Sequence, residues 1–270
     1  MFQGRIETMP IPERVYELCK IISDTPAPLK EIREKAEPSQ INGSSTAYFG
    51  SILTAAKELQ LVEESDENIL TYTGDRQILR DIKSFRRYCN SVVYQDTQTP
   101  FYQIARCFLD SDLKWMQYGS LSSEGVMDDI RRNTNIQTVY QDQLRGMRFW
   151  VSFLGFGMIH EKGTTMVFLP NMYTALKDFL VMAKPEVKRE YTVSEFCDLL
   201  MPYAHVALHN AKELHRLNYA VSAALRMMHD NKEIQMKRIP DSGEIWNLYH
   251  QEDHVLISEI SHIVVLKGVR

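Results

Sequence analysis

Apolar side chains along this chain recur at helical spacing in short runs, and two of these runs end in stretches that fold back as hairpins. From Pro12, the positions Val15, Leu18, Ile21 and Ile22 share one helical face. Proline suits the first helical turn, where an N–H would be unsatisfied anyway. Thr25-Pro26-Ala27-Pro28 stops that helix, and a second begins at Pro28 with Leu29, Ile32 and Ala36 on its stripe. Pro38 and Asn42-Gly43 turn the chain into a third helix, with Ser44 or Ser45 as N-cap. In it Phe49, Ile52, Leu53, Ala56 and Leu59 form one buried face. Leu59-Gln60-Leu61-Val62-Glu63 then closes the helix and opens a hairpin, which turns at Ser65-Asp66-Glu67-Asn68 and returns through Ile69-Leu70-Thr71-Tyr72.

Between Asp75 and Val92 the spacing predicts one amphipathic helix. Ile78, Ile82, Phe85 and Cys89 line one side; Arg76, Arg80, Lys83 and Arg87 line the other, with Arg86 adding charge. A second set of three helices follows. Thr99-Pro100 opens the first, with Phe101, Ile104, Ala105 and Phe108 facing inward. A loop at Gly119-Ser120 precedes a helix over Ser123 to Arg132. The third, roughly Thr138 to Leu154, carries Leu144, Met147, Val151 and Leu154, flanked by Trp150 and Phe153. Leu154-Gly155-Phe156-Gly157-Met158-Ile159 opens its hairpin, which turns at Glu161-Lys162-Gly163 and returns through Met166 to Leu169. A helix from Asn171 to Ala183 leads out.

The charged segment from Lys184 to Glu190 reads as a linker, and Thr192 with Glu195 reads as a capping box. Beyond it the pattern gives a long helix over Leu214 to His229 and a hairpin pairing Ile234 to Arg238 with Ile245 to Tyr249. Leu256 to Leu266 reads as one further strand. The expected domains are 10–74, a connector at 75–98, 99–183 and 191–270. The last is either a third copy of the same unit or a separate helix-and-hairpin domain.

Helices closed by a hairpin, with junctions Leu59-Gln60-Leu61-Val62 and Leu154-Gly155-Phe156-Gly157-Met158-Ile159, resemble winged helices. In tandem they are similar to the kite-type accessory subunits of SMC complexes and to multi-winged-helix proteins of bacterial anti-phage defence systems. The resemblance implies a mainly α protein with small β-hairpins and no catalysis of its own. It also implies a cytoplasmic subunit of a larger complex, linking DNA to a protein machine. The competing reading is a transcriptional regulator binding DNA as a homodimer, because paired half-sites double the contact surface.

Composition bears on the choice between these. Net charge is −4, whereas proteins that coat nucleic acid without specificity are usually basic. DNA is therefore expected to bind weakly to the isolated chain. No apolar run nears the roughly 20 residues that span a bilayer, so no membrane association is expected. Four separated cysteines (Cys19, Cys89, Cys107, Cys197) fit reduced, buried thiols.

Nucleotide-binding and hydrolase motifs are absent: no GxxxxGK[ST], GxGxxG, GxSxG or HExxH occurs. The chain is read as a non-enzyme without cofactor. His205, His209 and Glu213 have the i, i+4, i+8 spacing of a zinc-ligand stripe, set against the plainer reading of a solvated polar face. Gln137, Gln141, Gln143, Arg145 and Arg148 are types that meet base edges or phosphates, and the hairpin after them adds His160 and Lys162. The residues expected to hold DNA or a partner are Arg76, Arg80, Lys83, Arg87, Gln141, Arg145, Arg148 and Lys162.

Overall fold

Helix α1 (Pro12–Asp24) starts at its N1 proline and is stopped by Pro26, so that Val15, Leu18, Cys19 and Ile22 become its buried face. A computed structural model describes residues 1–42, 48–117, 123–163, 165–250 and 258–268. After α1 comes a two-residue strand, β1 (Ala27–Pro28), that runs without a loop into α2 (Leu29–Ala36). The sequence pattern marks only a helix break there. Proline tolerates such a place because an edge strand can dispense with one N–H. One turn, α3 (Ser39–Asn42), precedes α4 (Phe49–Glu58); the expected cap at Ser44 or Ser45 lies outside the described residues. Strands β2 (Val62–Glu64) and β3 (Ile69–Tyr72) complete an antiparallel sheet of order β1-β3-β2.

A single 3-10 turn (Arg76–Leu79) and α5 (Ile82–Val92) occupy the expected connector. Next come α6 (Pro100–Asp110), the short α7 (Lys114–Gln117), α8 (Ser123–Asn133) and α9 (Gln141–Leu154). Strands β4 (Gly157–Lys162) and β5 (Thr165–Pro170) form a two-stranded hairpin, and α7 packs against β5. Buried Phe108 links the two, with its ring centroid 4.7 Å from Trp115 and 4.9 Å from Phe168.

Helix α10 (Tyr173–Ala183) leads to β6 (Glu190–Thr192), which again runs directly into a helix, α11 (Val193–Leu208). Thr192 and Glu195 form the expected capping box at that junction. Pro202 and the non-helical Ala204 kink α11. The expected helix over Leu214 to His229 is split. His215 is left-handed at φ 45° after α12 (Ala211–Leu214), and α13 (Tyr219–Asp230) restarts from the Asn218 cap. Strand β7 (Ile234–Lys237) does not pair with Ile245 to Tyr249. That stretch supplies β8 (Trp246–Asn247), which pairs with β9 (Glu259–Ile260). The partner of β7 is β10 (His262–Val265), which also pairs with β6. The Pro240–Gly243 turn signal therefore opens a long excursion rather than a tight hairpin.

Two compact bodies result: Met1–Tyr102 with Ile136–Phe153, and Gln103–Asn135 with Leu154–Arg270. The residues expected as one domain at 99–183 are thus shared between them. In the first body α1, α4, α5 and α9 surround a core of Ile22, Phe49, Phe85, Met147 and Trp150. An extended arm, Met1 to Pro10, joins that core. Phe2 packs edge-on to Trp150 at 4.6 Å, and Trp150 Nε1 donates to the Pro10 carbonyl at 2.6 Å. The second body packs α10 against α11 and α13, burying Leu176, Phe196, Leu200 and Leu225.

Both ends of the chain run helix, strand, three helices, strands: α1 to β3, and α10 to β10 with the β8–β9 pair inserted between β7 and β10. In each case the first strand pairs antiparallel with the last, which lies in the middle of the sheet: β1-β3-β2 and β6-β10-β7. The helix-to-strand corners also match. Leu61 N–H reaches the Ala56 carbonyl and Gln60 N–H that of Lys57; Glu233 and Lys232 do the same to Met228 and His229. This is the double hydrogen bond of a Schellman cap, with Gln60 (φ 58°) and Lys232 (φ 55°) in the left-handed position. Gly155 (φ 82°) turns the chain after α9.

Candidate nucleic-acid and partner interface

The basic stripe expected at 76–87 is broken by two aspartates. Asp75 accepts from Gln77 N–H and starts the 3-10 turn. Asp81, extended at φ −157°, accepts from Ser84 N–H at 2.7 Å and caps α5. The backbone and hydroxyl donors of Ser84, helped by Arg80, hold the Asp81 carboxyl down at about 2. Arg76 and Arg80 therefore sit before the helix and only Lys83 and Arg87 on it, so the four cations do not share a helical face. Arg76 donates to the Ser23 carbonyl; Arg80 pairs with Asp81 at 3.1 Å and donates to Ser84 Oγ. Lys83 is exposed, and Arg86 and Arg87 are half-buried. Ile82, expected on the apolar side, is exposed, leaving Phe85 and Cys89 to anchor the helix. Tyr88 ties α5 to the first corner by donating to the Leu59 carbonyl at 2.7 Å.

Helix α9 divides the residues expected to read bases. Gln143 is buried, and its Oε1 accepts from Tyr140 N–H at 2.8 Å, so it closes the helix start instead of facing solvent. Gln137 precedes the helix and Gln141 is half-buried in its first turn. Arg145, Arg148, Phe149 and Ser152 recur at i, i+3, i+4, i+7, opposite Met147 and Trp150. Arg145 is exposed and pairs with Asp142 at 3.3 Å; the Arg148 guanidinium lies over the Phe149 ring at 4.7 Å. Each keeps its charge near solvent, where a phosphate exchanges readily with a weak surface pair.

The corresponding helices at the two ends carry little accessible positive charge. On α4, Lys57 is bound to Glu64 of β2. On α13, Arg226 is buried, and Met227 is the exposed large side chain. The first hairpin is acidic, with Glu63, Asp66 and Glu67 exposed beside Glu64. In the second body, hairpin β4–β5 presents Met158 opposite Leu169, both exposed, beside exposed His160. The side chain of Lys162 lies outside the described residues.

The zinc-ligand stripe does not form. His205 and His209 have ring centroids 6.3 Å apart, but Asn210 (φ −115°, ψ 3°) ends the helix before Glu213, which is exposed on α12. His209 instead faces Asp110 at 3.5 Å. Among the described residues no three His, Cys, Asp or Glu side chains are placed to hold a metal ion. All four cysteines are buried and unpaired with one another.

Two features leave no pattern in the sequence. The Met1 to Pro10 arm carries Met1, Phe2, Ile6 and Met9 as its apolar signals, and no periodicity marks it. A polar cluster brings Arg106, Asp110 and Lys114, neighbours in sequence, together with Asp129 and the distant His209. Among the described residues no helix is long and apolar enough to cross a membrane. Comparison of the chain with protein-family models, with curated proteins and with solved structures returns no match.

Proposed function

We propose that this chain is a non-enzymatic winged-helix scaffold of the cytoplasm that joins DNA to a protein complex. The observation that carries the reading is the sheet order repeated at both ends of the chain, in which the strand after the first helix pairs with a central last strand, together with the same left-handed corner. That order is the one a winged helix uses. Between the ends, α6, α8 and α9 likewise precede a hairpin, β4–β5, but without a third strand among the described residues.

Charge assigns the roles. Phosphate binding needs accessible Lys or Arg, because affinity comes from counterion release. The end units offer few such cations on their third helices, and the first adds an acidic hairpin, so they suit protein contacts. Helix α9 offers Arg145 and Arg148 on its outward face, and Lys83 on α5 is exposed. DNA contact is therefore assigned to α9, with α5 contributing less than a continuous basic stripe would.

Fluorescence anisotropy of the full chain with a labelled random-sequence duplex tests this. The expected result is micromolar binding that weakens steeply with salt and falls at least tenfold in the Arg145→Glu, Arg148→Glu double variant. Nanomolar binding to one particular sequence would favour the regulator. Binding unchanged by the double variant would remove α9 as the DNA-contacting helix.

A further inference from the structure

Within the second body, a cavity of about 440 Å³ opens among α6, α7, α8 and the end of α11. That is the size of a small-molecule site. Its polar groups fall into two sets. Asp129 is saturated: its carboxylate takes Lys114, Trp115 Nε1 at 3.1 Å and Arg132 at 3.1 Å. Burial opposes the Asp129 charge, but Lys114, Trp115 and Arg132 together outweigh it and hold the carboxyl below its usual range.

Asp110 is the opposite case. It accepts no hydrogen bond from the described residues; Arg106 Nε stands 3.9 Å away and His209 Nε2 3.5 Å away. Arg106 spends one N–H on the Asn133 carbonyl at 3.3 Å and keeps its other donors. Burial pushes the Asp110 carboxyl up to about 6, opposed by Arg106 and reinforced by Asp112. Burial, Arg106 and His205 push His209 down, against the Val206 backbone. The cavity thus holds an acceptor carboxylate beside a donor guanidinium, joined only by a long ion pair of 3.9 Å, with no hydrogen bond between them. A partly desolvated acceptor without a donor is costly, so a ligand that supplies both halves has an advantage over water.

We propose that this cavity binds a small molecule presenting a lactam edge, a ring N–H beside a C=O, with the N–H donated to Asp110 and the carbonyl accepting from Arg106. Guanosine and uridine carry that edge. Adenosine and cytidine carry an unprotonated ring nitrogen at the matching place, which would face Asp110 lone pair to lone pair. The proposal concerns a different surface from the α9 interface and stands independently of it.

Calorimetric titration of the full chain with the four nucleosides is the test. Guanosine and uridine should saturate, with adenosine and cytidine at least tenfold weaker. Asp110→Asn and Arg106→Gln should each cost tenfold or more for guanosine while circular dichroism stays unchanged. In the wild-type protein, carboxyl ¹³C NMR should show guanosine lowering the Asp110 pKa, so binding should also weaken as pH falls through about 6. Equal affinity for all four nucleosides, an Asp110 pKa unmoved by guanosine, or no binding of guanosine or uridine at about 1 mM would each overturn the proposal.

Discussion

Gly146 of α9 lies against the backbone of Glu7: a Cβ there would sit 2.9 Å from the Glu7 carbonyl carbon and closer still to its oxygen. The arm and the helix thus meet main chain to main chain, at a position where only glycine fits.

Gly146→Ala should therefore destabilise the first body. Overpacking typically costs 1–3 kcal/mol, and a carbonyl held by its own chain yields less than a side-chain tip would, so about 2–3 kcal/mol is expected. Guanidinium unfolding of proteins in which Trp115 and Trp246 are replaced by phenylalanine, followed by the remaining Trp150 fluorescence, measures it. An unchanged midpoint would mean that the arm is not held against α9.

The corners give a pair of substitutions opposite in sign. Gln60 has φ 58° without being glycine, a conformation that costs an L-residue roughly 1 kcal/mol. Gln60→Gly should stabilise by less than about 1 kcal/mol, because glycine also loses more entropy on folding. Gly155→Ala should destabilise by more than about 1 kcal/mol: its Cβ would meet Ala175 N at 2.7 Å and Thr174 Cβ at 2.8 Å, at φ 82°. Thermal melts of the two variants should move in opposite directions.

Asp110 predicts a stability change that depends on pH. Its folded pKa, about 6, lies above the unfolded value, so between about pH 4 and 6 the folded state binds the extra proton. This group's contribution is therefore most favourable below the unfolded pKa and is lost as pH rises through about 6. Asp110→Asn should raise stability at pH 7 and change it little at pH 4. The carboxyl is more than a third exposed, so solvent screening limits the gain to about 1 kcal/mol or less. Urea unfolding at the two pH values checks the sign.

Burial pushes Cys19, Cys107 and Cys197 up to about 12, and Cys89 well above the ordinary thiol range. The thiolate is the reactive form, so the native protein should react negligibly with a thiol-specific reagent at pH 8, and all four cysteines should react in denaturant. A fast-reacting fraction in native buffer would show that a core opens readily.

What could be read along the sequence was whatever lay within one element or one corner. The buried stripe of α4, the Pro12 start of α1, the Thr192–Glu195 capping box and the Leu59-Gln60-Leu61 corner are all set by neighbours a few residues apart. The 76–87 stripe failed for an equally local reason: Asp81 offered its own backbone a cap, and capping outcompeted helix continuation. Pairing across distance stayed hidden. Nothing near Ile234 to Lys237 shows that its partner is His262 to Val265, because a strand pattern does not name its neighbour. The Asp110 cluster was out of reach too, since His209 comes to it from 99 positions further along the chain.

The chain crosses from one body to the other after Tyr102, after Asn135 and again after Phe153. Neither body is therefore a continuous piece of polypeptide. During synthesis the first cannot close until Phe153 has left the ribosome, because Trp150 is the residue its opening arm packs against. At roughly 5–20 residues per second, the arm waits for seconds with Phe2 and Ile6 uncovered. A cut within the 75–98 connector would make that exposure permanent, so a fragment that keeps the first body closed has to retain Met1–Phe153.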